Sequence, residues 1–298
     1  MRILVTGGTG QVGTELRQFN WPQGVEIIAP NRAELDLADQ EAVQAYVMAG
    51  GFAAVINPAA YTAVDRAESE PLAAFRINAL APAALAAATR EAGIPLLHVS
   101  TDYVFDGHKT GAYVESDPVS PVSVYGASKE AGEQAVRSIN PRHVIMRTAW
   151  VFSPHGANFV KTMLRLGATR PELGVVDDQR GCPTPAKAIA EALGVIALRL
   201  IADQDAPCGI YHLAGDEETS WHGFAREIFR QAAERGLQTP RLNAITTADY
   251  PTPARRPANS VLASAHLAKD YAILPPDWRA GLTQTLDALE IARVEETR

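Results

Sequence analysis

Tyr125 and Lys129, within VYGASKEAGE from Val124 to Glu133, are side chains whose types and spacing suggest proton chemistry. Positions i and i+4 of an α-helix lie on one face, with Cβ atoms roughly 6 Å apart. A free tyrosine has a pKa of about 10, too high for a responsive proton donor at neutral pH. An ammonium ~4 Å away, at an effective dielectric of ~20, favours the phenolate by up to ~4 kcal/mol. Desolvation works in the opposite direction. The pair is therefore a candidate for acid–base work, although the same spacing also occurs on plain solvated helix faces.

A second motif sits at the N-terminus. MRILVTGGTGQVGTEL places Gly7, Gly10 and Gly13 directly after a β-branched run and at the start of a helical pattern. Glycines there allow a tight turn and close approach of the backbone to a pyrophosphate, whose charge is met by free amides at the helix N-terminus. A glycine triplet is a weak signal alone, but the first βα junction of an α/β chain is where dinucleotide loops occur. After the second predicted strand, Asn31 and Arg32 stand where an acid would hold the ribose diol of NAD and an arginine would suit a 2′-phosphate. This points to NADPH, with use of NADH left open.

The elements that must position these residues follow from periodicity. MRILV, VEIIA, AAVIN, IPLLHVS and HVIMRT each precede a longer amphipathic or Ala-rich segment, which predicts βαβ units. The fold class expected is α/β, a Rossmann-like doubly wound parallel sheet with a smaller C-terminal substrate-binding lobe. Residues 1–150 form the dinucleotide-binding domain, with 173–215 returning to it; 151–172 and 216–298 form the second lobe. A helix is expected from about Thr184 to Ala202.

Composition excludes several classes. Hydrophobic residues make up 47% and charged residues 20%, as in ordinary globular proteins. The net charge is −7 and no long basic cluster occurs, so the footprint of a nucleic-acid binder is missing. No apolar run approaches the ~18 residues of a membrane span, and Ile3-Leu4-Val5 is too short for a signal-peptide core. Two cysteines, Cys182 and Cys208, make neither a disulfide framework nor a metal set, and the seven histidines show no ligand spacing. The expectation is a cytoplasmic protein with no metal, no nucleic-acid partner and no membrane. Glu15 and the acidic Val294-Glu295-Glu296 run could meet a second subunit or an ion, and a homodimer is compatible with the sequence; neither is assigned.

TGxxGxxG followed more than a hundred residues later by YxxxK resembles the extended short-chain dehydrogenase/reductases, many of which act on nucleotide-sugars. AYTAVDRAES (60–69), STDYVFDG (100–107), RTAWVF (147–152), NFVKTMLRL (158–166), VVDDQRGCPT (175–184), GIYHLAG (209–215) and ARRPANS (254–260) are together similar to the dTDP-4-dehydrorhamnose reductases, along nearly the whole chain. The resemblance implies that Thr101, Tyr125 and Lys129 are the catalytic set and that Gln11 and Val12 join the three glycines at the cofactor. It places Asp36 and Leu37 by the adenine, and Ala59, Ala60 and Tyr61 along the dinucleotide. Two departures stand out: Asn31 lacks the acid often found there, and Cys182 replaces a commoner serine.

The implied chemistry is hydride transfer from NAD(P)H to C4 of a dTDP-linked 4-keto-6-deoxy sugar. Tyr125 would donate the proton, Lys129 would modify its pKa and anchor the nicotinamide ribose, and Thr101 would orient the carbonyl. Thr101 could also merely satisfy the backbone at a strand end. Tyr103 stands where the related 4,6-dehydratases resemble Thr-Asp-Glu, which argues against elimination. Asp102 is a candidate sugar contact or a loop cap; Val64 and Trp150 are candidate walls of the sugar site. Arg255, Arg256 and Asn259 could hold a diphosphate, or be a solvated arginine loop. The rival readings are another nucleotide-sugar reductase or an epimerase, and a non-catalytic NADP-binding regulatory subunit.

Overall fold

The computed structural model describes residues 1–289; the Val294-Glu295-Glu296 run and the end of the lobe expected to reach 298 lie outside the described residues. Six strands form one sheet: β1 (Arg2–Val5), β2 (Glu26–Ile28), β3 (Phe52–Asn57), β4 (Leu96–Thr101), β5 (His143–Thr148) and the Gly209–His212 strand. Their spatial order is β2, β1, β3, β4, β5, then Gly209–His212, and every pairing is parallel. All five runs singled out by periodicity are strands of this sheet. They read as near-continuous apolar segments because both faces are covered.

One face is packed by helices Gln11–Gln18 and Ala186–Ala202, through Val12, Leu16, Ile189, Leu193 and Ile196. The other is packed by Gln40–Ala49, Ala81–Glu91 and Val124–Ile139, through Val43, Val47, Leu85 and Val136. The sheet is thus doubly wound. The helical stretch Pro71–Glu91 is long and apolar enough to pass for a membrane span, and half of it is buried inside the protein.

The strand order reverses between β1 and β3, with β2 on the outer side. In open α/β sheets such a switch point leaves a crevice beyond the carboxyl ends of the strands, where ligands bind. The Gly7 loop after β1 and Ala59 after β3 meet there.

The second lobe has its own core of Phe152, Val160, Leu173, Val175, Phe224, Ile228, Trp278 and Leu282. Here the expected boundaries need correction. Within 173–215, helix Ala186–Ala202 and strand Gly209–His212 do belong to the central sheet. Strand Glu172–Val176 does not: it pairs in parallel with Arg241–Ile245, and its alternate residues Leu173 and Val175 point into the second core. Arg180–Gly181 also pairs outside the central sheet, antiparallel to Thr219–Ser220. Conversely Leu267 and Tyr271 of helix Ala265–Tyr271 pack on the central core.

Candidate active site

The glycine loop is built as its chemistry requires. Gly7 has φ +59°, a left-handed conformation, and a Cβ there would sit 2.9 Å from Ala59 Cα. A Cβ on Gly13 would fall 2.1 Å from the Gly7 carbonyl oxygen, so the loop can fold onto the helix only without that atom. Gly10 caps helix Gln11–Gln18 without a side chain, which leaves the first-turn amides free for an anion. These are the properties of a pyrophosphate cradle, and the residues fit a dinucleotide.

A cleft runs from this loop along the switch point. Its lining includes Gly7, Asn31, Arg32, Asp36, Leu37, Ala59, Ala60 and Tyr61. Eight of the residues expected at the cofactor are therefore together. The Asn31 side chain closes its own turn, accepting from the amides of Ala33 at 2.8 Å and Glu34 at 3.2 Å. The Arg32 guanidinium is 83% exposed, 3.6 Å from Asp36. Val12 packs in the core, and Gln11 Oε1 accepts hydrogen bonds from Ser153 Oγ at 2.8 Å and Asn158 Nδ2 at 2.9 Å. Their side chains serve the scaffold, so contact with a dinucleotide would run through their backbone amides.

Tyr125 lies in the first turn of helix Val124–Ile139, whose N-cap Ser123 accepts from the Gly126 amide at 3.2 Å. Thr101 ends β4. Burial pushes the Tyr125 phenol up to about 12; a hydrogen-bonding Thr101 works against this, and the neighbouring Asp102 carboxyl adds to it. Lys129 stands one helical turn beyond Tyr125, with its own head group turned to β4. Lys129 Nζ donates to the Val99 carbonyl at 2.7 Å and lies 3.4 Å from His98 Nε2. Burial lowers Lys129 to about 8, with Glu133 opposing.

Behind Lys129 runs a chain of polar groups that sequence reading missed. His98 Nδ1 is 3.0 Å from Asn57 Nδ2, and Thr6 Oγ1 donates to Asn57 Oδ1 at 2.5 Å. Thr6 follows β1, Asn57 ends β3 and His98 lies within β4, and all three are buried. The same helix row that carries Tyr125 and Lys129 continues to Glu133, which takes Arg147 in a buried bidentate pair at 2.7–3.2 Å. A polar side chain at a core-facing position of each of three apolar strands was the available signal.

The expected substrate residues divide. Asp102 is 2% exposed; its Oδ1 accepts the Thr101 hydroxyl at 2.9 Å, while Oδ2 is buried without a hydrogen-bond partner. Burial raises its carboxyl to about 6, against the Ser260 and Thr101 hydroxyls. Tyr103 sits edge-on to Tyr125, with ring centroids 5.7 Å apart. Trp150 follows β5 and stacks on Trp221. Val64 begins the short helix Val64–Ala67, whose Asp65 accepts from Arg256 Nη2 at 2.9 Å. Arg256 also donates to Ala254 O and Thr252, so its guanidinium ties the loop to that helix. The Asn259 amide donates to the carbonyls of Lys109 at 2.8 Å and Gly111 at 2.7 Å, and its oxygen accepts from Val261. Its side chain is spent on closing the 107–111 loop. Arg255 is exposed. Cys182 is buried and its thiol pushed up to about 12 by burial, which makes it a packing residue. Among the described residues no group of three or more His, Cys, Asp or Glu could hold a metal ion.

Comparison with known proteins shows the family and the fold. The family model described as RmlD substrate binding domain matches residues 1–291. The chain is 45% identical over 290 residues to dTDP-4-dehydrorhamnose reductase of Sinorhizobium fredii, covering 97% of this chain and 98% of the relative. It is 41% identical to the enzyme of the same name from Escherichia coli K12, with 97% and 98% covered. Among solved structures, the dTDP-4-dehydrorhamnose reductase of Bacillus anthracis in complex with NADP superposes with a TM-score of 0.87 at 34% identity, covering 96% of this chain and 99% of that one. A UDP-glucose 4-epimerase of Thermus thermophilus, 24% identical with a TM-score of 0.78, shares the fold.

Proposed function

The chain belongs to the RmlD substrate binding domain family, and from that premise we propose that it is the NADPH-dependent reductase of dTDP-4-dehydro-6-deoxy-L-mannose, giving dTDP-L-rhamnose by reduction at C4. The observation that carries the reading is the placement of Tyr125, in the first turn of its helix with Lys129 one turn on, beside the Thr101 hydroxyl at the carboxyl end of β4. A phenol so held can give a proton to an alkoxide as it forms.

The reduced nicotinamide, when bound, supplies the hydride. The Gly7 loop and the free amides of helix Gln11–Gln18 hold the pyrophosphate, and Asp36 and Leu37 border the adenine end. Arg32, exposed at the cleft mouth, suits a 2′-phosphate and supports NADPH. At the reacting end Tyr125 donates the proton. The Thr101 hydroxyl accepts from the Tyr103 amide at 3.2 Å and donates to Asp102 Oδ1; with substrate bound it would turn that proton from Asp102 to the carbonyl oxygen and so orient it against Tyr125. Lys129, held by β4, presents its remaining N–H bonds to the nicotinamide ribose. The unpartnered Asp102 Oδ2 would accept a sugar hydroxyl, and Trp150 would wall the sugar. Tyr103, in place of the glutamate expected there in the dehydratases, argues against elimination. Arg255 is the exposed cation available to the diphosphate.

The test is product identity. Purified protein given NADPH and dTDP-4-dehydrorhamnose should consume the two in a one-to-one ratio and form dTDP-L-rhamnose. Conversion of a nucleotide-sugar to its epimer without net NADPH loss would establish the epimerase reading instead.

A further inference from the structure

Trp150 has φ +47°, and among the described residues only one other non-glycine residue, Ala272, has a positive φ. A bulky side chain takes that backbone conformation only where its surroundings impose it, and such residues gather at functional sites. The surroundings come from the second lobe. The Trp221 ring lies 3.6 Å from that of Trp150 at an interplanar angle of 9°, a face-to-face stack. Gly181 lies against the same indole: a Cβ there would fall 2.5 Å from Trp150 Cε2. Trp221 is itself fixed, donating from Nε1 to Gln179 Oε1 at 3.2 Å and packing on Phe159 at 4.6 Å. As the first residue of helix Trp221–Ala233, it is also held by its N-cap Ser220, which bonds Asp177.

We propose that Trp221 is a positioning residue for the nucleotide-sugar: by stacking on Trp150 it fixes that indole as the wall of the sugar site. The inference rests on the reductase reading above. It assigns Trp221 no contact with the reacting atoms and no part in cofactor binding. Removing the stack lets Trp150 leave its strained conformation, so the cost falls on substrate affinity.

Steady-state kinetics on the full chain at saturating NADPH, together with direct NADPH titration, test this. Trp221→Leu is expected to raise KM for dTDP-4-dehydrorhamnose about fivefold or more, with kcat within about twofold and the NADPH Kd unchanged. Trp221→Phe, which keeps an aromatic face, should recover most of the loss. Gly181→Ala presses on the same indole and should show the same KM rise, which serves where Trp221→Leu does not fold. An unchanged KM in Trp221→Leu or in Gly181→Ala overturns the proposal, as does an equal loss in NADPH affinity or a Phe variant no better than Leu. Wild type without turnover would overturn the reductase reading and this inference with it. Wild-type turnover with an unaltered variant KM would overturn this inference alone.

Discussion

Lys129 shows how one side chain can serve two demands. It is buried, which lowers its ammonium to about 8, yet the proposed reaction would need its charge at the cofactor. The sign follows directly: as pH rises through about 8 the ammonium is lost. The kcat/KM profile should therefore fall on a basic limb near pH 8, where an unperturbed lysine would hold to above ~10. A profile flat to pH 9.5 or beyond would contradict the assignment. Asp102 gives the opposite case. Its folded pKa of about 6 lies above that of the unfolded chain, so between ~4 and 6 the native state binds more protons and stability falls as pH rises. At pH 7 the buried carboxylate costs on the order of 3 kcal/mol. Asp102→Asn should raise the melting temperature at pH 7, lose that advantage near pH 4, and lower activity. A variant both less stable at pH 7 and fully active would refute this account of the residue.

At the scale of elements, the loop between β1 and helix Gln11–Gln18 is the part most tightly constrained. A methyl on Gly13 would collide with the Gly7 carbonyl at 2.1 Å, and backbone cannot yield as a flexible side chain can. Gly13→Ala should weaken NADPH binding at least tenfold and lower the melting temperature; near-normal affinity would show that the loop does not cradle the cofactor. This element was legible in the sequence, because only glycine satisfies the close approaches of Gly7 and Gly13. So were β1 to β5, whose apolar runs reflect burial on two faces, and helix Ala186–Ala202. Strand Glu172–Val176 was assigned to the wrong sheet. Its alternation of Leu173 and Val175 specifies one buried face, but nothing local says which core receives it. Likewise Tyr125 and Lys129 were found by spacing alone, whereas the direction of the Lys129 head group depends on Val99 and His98 some 30 residues away. Asn259 looked like a phosphate ligand in a basic loop, and its amide is instead consumed by the 107–111 backbone.

For the molecule as a whole, two cores meet at one set of strand ends. Val104, Phe105, Ala149, Cys182, Ala214 and Leu262 form a smaller cluster that joins the sheet to the second lobe next to Thr101 and Tyr125. The buried Arg147–Glu133 pair locks helix Val124–Ile139 onto β5, so the row of Tyr125, Lys129 and Glu133 is held by both helix and sheet. The α/β class and the cleft were readable from periodicity. The second lobe's pairings are long-range, as between β-strands some 70 residues apart, and no local pattern encodes them. On the proposed reading, this frame makes Tyr125 the proton donor of a sugar-ketone reduction. The measurement that tests it most directly is NADPH consumption with dTDP-4-dehydrorhamnose by wild type and Tyr125→Phe, alongside NADPH binding to each. The variant's kcat should be at least about a hundredfold lower, with cofactor affinity preserved. Near-normal turnover by Tyr125→Phe would contradict it.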